Sequence, residues 1–135
     1  MGPGAEAEVV GKFVGRGSEE IGVKIEVVHK SGHTRARTVL RGAGYDKSKI
    51  KFAGRIIIDK NCPDTNRFLE ERILLVSDGA RAETVPDLEI KSDDVHCSHA
   101  ASVSRIPENQ TFYLMSRGLS KKKAEKLVIE GFLTG

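Results

Sequence analysis

At 135 residues the chain is long enough for one domain with its own core and too short for two. Its 22 basic and 19 acidic side chains leave a formal charge of +3, too mild a surplus to indicate nucleic acid or a membrane surface as a partner. Cys62 and Cys97 lack CxxC spacing and point to a reducing cytoplasm, no apolar run approaches the roughly 20 residues of a membrane span, and the Gly-rich, acidic start from Met1 to Glu8 is unlike a secretory leader.

Residues 1–4 offer turn chemistry and nothing to bury, which predicts a frayed end. Ala5 to Val14 alternates loosely as a strand and stops at Gly15-Arg16-Gly17-Ser18. Ile21 to Val28 sets Val23, Ile25 and Val27 against Lys24 and Glu26, the pattern of a half-buried strand. Ser31-Gly32-His33 turns the chain into a third alternating segment, Thr34 to Leu40, which Arg41-Gly42-Ala43-Gly44 is expected to break. His29 and His33 flank that turn and are expected at the surface. Ile50 to Ile58 puts Ile50, Phe52, Ile56 and Ile58 on one side. Pro63 disfavours regular structure at Cys62. Phe68 to Val76 passes from Glu70-Glu71-Arg72 into Ile73-Leu74-Leu75-Val76, which suits a central strand covered on both faces. Ala80 to Ile90 alternates again. Short strands between Gly, Asp, Ser and Pro turns admit a sandwich, a barrel or a β-solenoid, and no clean repeat chooses among them.

The stretch from Ser92 onward carries the chemistry. Asp93 and Asp94 favour a turn. Val95, Cys97, His99, Ala101 and Val103 then alternate with His96, Ser98, Ala100, Ser102 and Ser104, so a side-chain period of two puts Cys97 and His99 on one face and His96 on the other. Thiolate and neutral imidazole both suit iron. By residue type alone the favoured reading is that both simply point inward and are buried, since cysteine is among the most buried residues. A zinc site drawing on Cys62, Cys97 and two histidines is a further arrangement. Pro107 suits a first helical position, Gly118 a left-handed helix end, and Ser120 a cap for a second helix. On that helix Ala124, Leu127, Val128 and Phe132 form an apolar stripe. Lys121, Lys122 and Lys123 oppose its dipole, which an acidic partner would offset; the plainer reading is a solvated face. No phosphate-binding loop, dinucleotide fingerprint or Ser/His/Asp order suggests catalysis, so the chain is expected not to be an enzyme.

The runs P-D-L-E-I (Pro86 to Ile90), S-D-D-V-H-C-S-H-A-A-S-V-S-R-I (Ser92 to Ile106), E-N-Q-T-F-Y-L-M-S-R-G-L-S (Glu108 to Ser120) and I-E-G-F-L (Ile129 to Leu133) carry a specific likeness. With A-G-R-I-I-I-D-K (Ala53 to Lys60) and R-I-L-L-V-S-D-G-A-R-A-E-T (Arg72 to Thr84), they make the chain from about Thr34 onward resemble the C-terminal part of the SufB/SufD family. These are scaffold proteins of Suf iron–sulfur cluster assembly, and the C-x-H form is SufD-like. The resemblance implies a mainly β fold: the last coils of a right-handed parallel β-helix over residues 1–106, then two short C-terminal α-helices in 107–135. It implies a non-enzymatic assembly component that docks a SufC-type ATPase through those helices, with Phe112, Leu114, Met115, Arg117, Lys121, Lys122 and Lys123 as contact residues.

It further implies that His99, with Cys97, contributes iron–sulfur ligands to a site shared between chains, holding a cluster transiently with no stably bound cofactor. The expected partners are the ATPase and either a SufB/SufD-type paralogue or a second copy, meeting an uncovered coil end. Where SufB-type members carry a cluster-building cysteine this chain has Glu71, and where they carry a glutamate after the shared histidine it has Ala100. Both departures argue against an autonomous scaffold. The competing reading is a truncated structural module of the same family that dimerises and never holds metal.

Overall fold

The computed structural model describes residues 2–135. Their strands are β1 (Glu6–Gly15), β2 (Glu20–His29), β3 (Arg35–Gly44), β4 (Lys49–Ile58), β5 (Thr65–Leu75), β6 (Arg81–Ile90) and β7 (Val95–Arg105), followed by helices α1 (Glu108–Ser116) and α2 (Lys121–Thr134). Each strand pairs in parallel with the next but one, giving a four-stranded sheet in the order β1-β3-β5-β7 and a three-stranded sheet in the order β2-β4-β6. The result is a parallel β-helix of about three coils capped by two helices, as the resemblance implied. Each corner is a short loop, and several turn through the left-handed region at Gly17 (φ 61°), His33 (58°), Asp46 (56°), Asn61 (57°) and Asp64 (50°). Apart from His33 these are Gly, Asn and Asp, the residues that enter that region at least cost.

The register advances by 29 residues from β1 to β3 (Glu6 opposite Arg35), 31 from β3 to β5 (Arg35 opposite Asn66) and 30 from β5 to β7 (Thr65 opposite Val95). Unequal corner lengths therefore blur the repeat. Strand β3 also continues through Arg41-Gly42-Ala43-Gly44 instead of breaking there. Gly42 keeps the sheet because a Cβ at that position would lie 3.1 Å from Phe52 Cζ, so the missing side chain is what lets the opposite sheet close on it.

Between the sheets, one flank is filled by Leu40, Ile50, Phe52, Ile73, Leu75 and Ala80, with Phe13, Ile21, Val23, Ile25 and Ala82 against them. The other flank holds Ile56, Ile58, Cys62 and Leu69, with Val95 and Cys97 packed on it. Helix α2 lies on the outer face of the four-stranded sheet, where Ile129 meets Ala43 and Leu74, and Phe132 and Leu133 join them. Outward-facing Leu74 is thereby covered as well as inward-facing Ile73, and β5 has the two buried faces its apolar run called for. Arg41 ties the helix down: Nη1 donates to Phe132 O at 2.8 Å and Nη2 to Glu70 Oε2 at 2.9 Å. The expected apolar stripe is rotated, since Ala124 and Ile129 are the buried positions and Leu127 is 49% exposed.

Local signals at the helix ends hold to within one residue. Pro107 is the cap of α1 and not its first turn, Gly118 sits at φ 100°, and Ser120 Oγ accepts from Lys123 N at 3.3 Å. At the other end of the chain, the part of the expected frayed start at Met1 lies outside the described residues. Gly4 N donates to Gly32 O at 3.5 Å and Ala5 N to Gly2 O at 3.2 Å.

Candidate functional site

Strand β7 ends the four-stranded sheet, with β5 on one side and no strand among the described residues on the other. Thr65 N donates to Asp94 O and Ile106 N to Leu75 O. Since backbone groups along a strand alternate in direction, the even-numbered residues of β7 face β5. Val95, Cys97, His99, Ala101 and Val103 then turn their N–H and C=O groups to the open edge. On β6 the opposite parity applies, because Arg81 N and Lys91 N donate to Ser48 and Ile58 carbonyls in β4's coil. Pro86 thus places its missing N–H on the open side, where no ladder bond is lost.

The side chains of Cys97 and His99 point inward and are half-buried, while the alternating His96 and Ser98 are exposed. Arg67, Leu69 and Glu71 of β5 lie on the same inner face, with Arg67 opposite Cys97, Leu69 opposite His99 and Glu71 opposite Ala101. Burial lowers the pKa of His99, so its imidazole favours the neutral, ligating form. Its Nε2 is buried and has no hydrogen-bond partner. Burial raises the pKa of the Cys97 thiol, and the Arg67 guanidinium pulls the other way.

Arg67, Glu71 and His29 are interior groups that residue patterns did not identify. Arg67 is 2% exposed; its Nη2 donates to Thr38 Oγ1 and its Nη1 to Phe68 O, each at 2.8 Å. No carboxylate pairs with it among the described residues. Glu71 is fully buried, and burial lifts its pKa to about 7. His29, expected at the surface, is also fully buried because the last position of β2 faces inward; its Nδ1 meets Thr34 Oγ1 at 2.7 Å. Burial, then the Arg67 charge, lowers its pKa to about 4. Strand parity was the signal available for all three: Arg67 and Glu71 fall in step with Leu69 and Ile73, and His29 with Ile25 and Val27.

Cys62 and Cys97 share one side-chain cluster, but Cys62 is sealed inside it and burial raises its thiol pKa. No group of three or more His, Cys, Asp or Glu side chains among the described residues is placed to hold a metal. The four-ligand zinc arrangement is therefore not formed among the described residues. A cluster needs about four ligands, so Cys97 and the orphaned His99 nitrogen fit only as a partial donor set.

The residues expected to meet an ATPase cluster on the helices. Phe112, Tyr113 and Met115 are 74%, 56% and 41% exposed, unusual for such large apolar side chains, while Leu114 is half-buried. Arg117 is exposed with its guanidinium 5.2 Å from the Tyr113 ring centre, and Lys121, Lys122 and Lys123 project into solvent. A groove of about 840 Å³ runs between helices and solenoid, lined in part by Leu74, Arg105, Tyr113, Leu127 and Phe132. No helix of the described residues is long and apolar enough to cross a membrane.

Residues 1–132 match the family model described as the SufBD core domain of SUF-system FeS cluster assembly. The chain is 36% identical over 132 residues to the iron–sulfur cluster assembly protein SufD of Bacillus subtilis, a match covering 98% of this chain and 30% of that protein. It is 36% identical over 104 residues to the protein of the same name from Escherichia coli, covering 77% of this chain and 25% of the other. A SufBD family iron–sulfur cluster assembly protein of Mycobacterium leprae is 29% identical over 139 residues, covering 97% of this chain and 36% of its own length. The chain thus spans about a third or less of the length of these curated relatives.

Proposed function

The chain belongs to the SufBD core family of iron–sulfur cluster assembly proteins, and from that footing we propose that it is a non-enzymatic assembly component working in the cytoplasm. In this reading iron and sulfide are cargo. They are held transiently at a seam between chains, to which β7 of this chain contributes His99, with Cys97 beside it. The observation that carries the proposal is the coincidence of an orphaned, neutral-favouring imidazole with the open edge of the sheet. An incomplete donor set at an incomplete sheet is what a shared site requires. The second chain, a SufB/SufD-type paralogue or another copy, would extend the sheet and supply the missing ligands.

The helices would be the handle for a SufC-type ATPase. Exposed Phe112, Tyr113 and Met115 supply desolvatable area of the kind that anchors interfaces. The lysines that open α2 would steer an acidic partner surface. Leu114 and Arg117 would set the shape of that patch.

Replacing Ala101 by Pro removes a backbone donor that faces only the open edge and spares the ladder with β5. Size-exclusion chromatography should then show loss of association with the paralogue or second copy. Unchanged association would overturn the shared-seam reading. Reversing Lys121, Lys122 and Lys123 to Glu should abolish co-elution with the ATPase; retained co-elution would overturn the docking assignment.

A further inference from the structure

Glu71 presents an anomaly that the assembly reading does not use. Both carboxyl oxygens are buried without a hydrogen-bond partner. A native carboxyl in this state calls for a bound proton or a cation. Space for it is supplied by Gly54 on the opposing sheet, where a Cβ would collide with Glu71 Oε1 and approach Leu69 Cδ2 to 2.7 Å. Across β5 and β7, Glu71 and His99 are diagonal neighbours, since His99 lies opposite Leu69 and Glu71 is two residues further along. Their Cα atoms are therefore on the order of 8 Å apart, within reach for two long side chains on one face. Nε2 of His99 is orphaned on the same face, and Nε of Arg67 is a further orphaned atom farther back along β5.

The surroundings offer Glu71 nothing else. Its ladder partners are Leu40 on β3 and Ala101 on β7, and the opposing strands present Gly54 and, in register with it, Pro86. Thr38 is committed to Arg67, and Arg67 stands four residues back along β5, about 13 Å away by strand rise. A carboxylate and an unprotonated ring nitrogen are both acceptors. No hydrogen bond joins the two, and a cation between the carboxylate and the unprotonated nitrogen satisfies both.

We propose that Glu71 and His99 jointly hold one divalent first-row transition cation on the inner face of β5 and β7, with ferrous iron as the ion in the assembly setting. A carboxylate with an imidazole suits iron, manganese and zinc. Water or a donor from a second chain at the open edge completes the shell. The inference deepens the shared-site reading and rests on it for His99; Glu71 is the new ligand.

The test is titration of the purified chain with Co²⁺, followed by visible absorption, and anaerobically with Fe²⁺ by calorimetry. Wild type should bind one ion, and Glu71→Gln and His99→Ala should each weaken binding about tenfold or more. Glu71→Gln preserves shape, and its melting curve reports folding directly. Added Co²⁺ should raise the wild-type melting temperature and leave that of Glu71→Gln unmoved. Wild-type affinity in Glu71→Gln with binding lost in His99→Ala would overturn the role of Glu71 and leave the His99 reading standing. Absence of binding by wild type, or wild-type affinity in both variants, would overturn the pair.

Discussion

The two flanks of the solenoid interior are built on the same strands and obey different chemistry. On one, Leu40, Ile50, Phe52 and Ile73 interlock with no polar side chain among them. On the other, Ile56, Ile58 and Leu69 share the space with Cys62 and Cys97, and the interior strand positions around them carry His29, Thr38, Arg67, Glu71 and His99. The first flank is what holds coils together. The second keeps ionisable groups inside at a cost to stability, which proteins accept where those groups have something to bind. The open edge of β7 lies along the second kind of interior, where Cys97 and His99 are half-buried.

The largest effect should come from the apolar flank. Phe52 is fully buried and edge-on to Phe13 at a centroid distance of 5.6 Å. Phe52→Ala should cost about 3 to 5 kcal/mol in chemical denaturation, and a loss under 1 kcal/mol would mean the coils are held together elsewhere.

Next is the pH dependence of the polar flank. In the folded state Glu71 keeps its proton up to about pH 7 instead of the ordinary 4.5, so it takes stability away as pH rises through that window, about 3 kcal/mol in all. His29, held neutral down to about pH 4 instead of 6.5, takes away a similar amount as pH falls from 6.5. Between about pH 4.5 and 6.5 the two slopes oppose each other and these groups leave stability nearly flat. Glu71→Gln should unmask a rise with pH in that range, and His29→Gln a fall. Denaturation midpoints across the range check both signs; unchanged profiles in both variants would erase the distinction between the flanks.

Thr38→Val leaves the Arg67 guanidinium short of one acceptor and should cost about 1.5 to 3 kcal/mol, read by the same denaturation. The smallest effect belongs to His96, exposed on the outer face between Val95 and Cys97. His96→Ala should move stability by no more than about 0.5 kcal/mol and leave Co²⁺ binding intact, in contrast to His99→Ala three residues along.

The strands were legible because their solvent faces alternate, and the helix ends because Pro107, Gly118 and Ser120 each have a specific local chemistry. The stacking was not legible from pattern, since unequal corners shift the repeat, and it came from family likeness. The break expected at Arg41-Gly42-Ala43-Gly44 failed because glycine reads as punctuation in a sequence, whereas here Gly42 makes room for Phe52. His99 and Cys97 stood out by spacing. Glu71 and Arg67 did not, because a charge in step with apolar residues reads as the edge of a cluster until the opposing sheet is seen to close over it.

Shared cargo binding at β7 is tested most directly by anaerobic reconstitution. The chain, mixed with a SufB-type partner, ferrous iron and sulfide, should develop visible absorption that the mixture containing His99→Ala lacks. Equal absorption from the two mixtures would contradict a role for this strand in holding the nascent cluster.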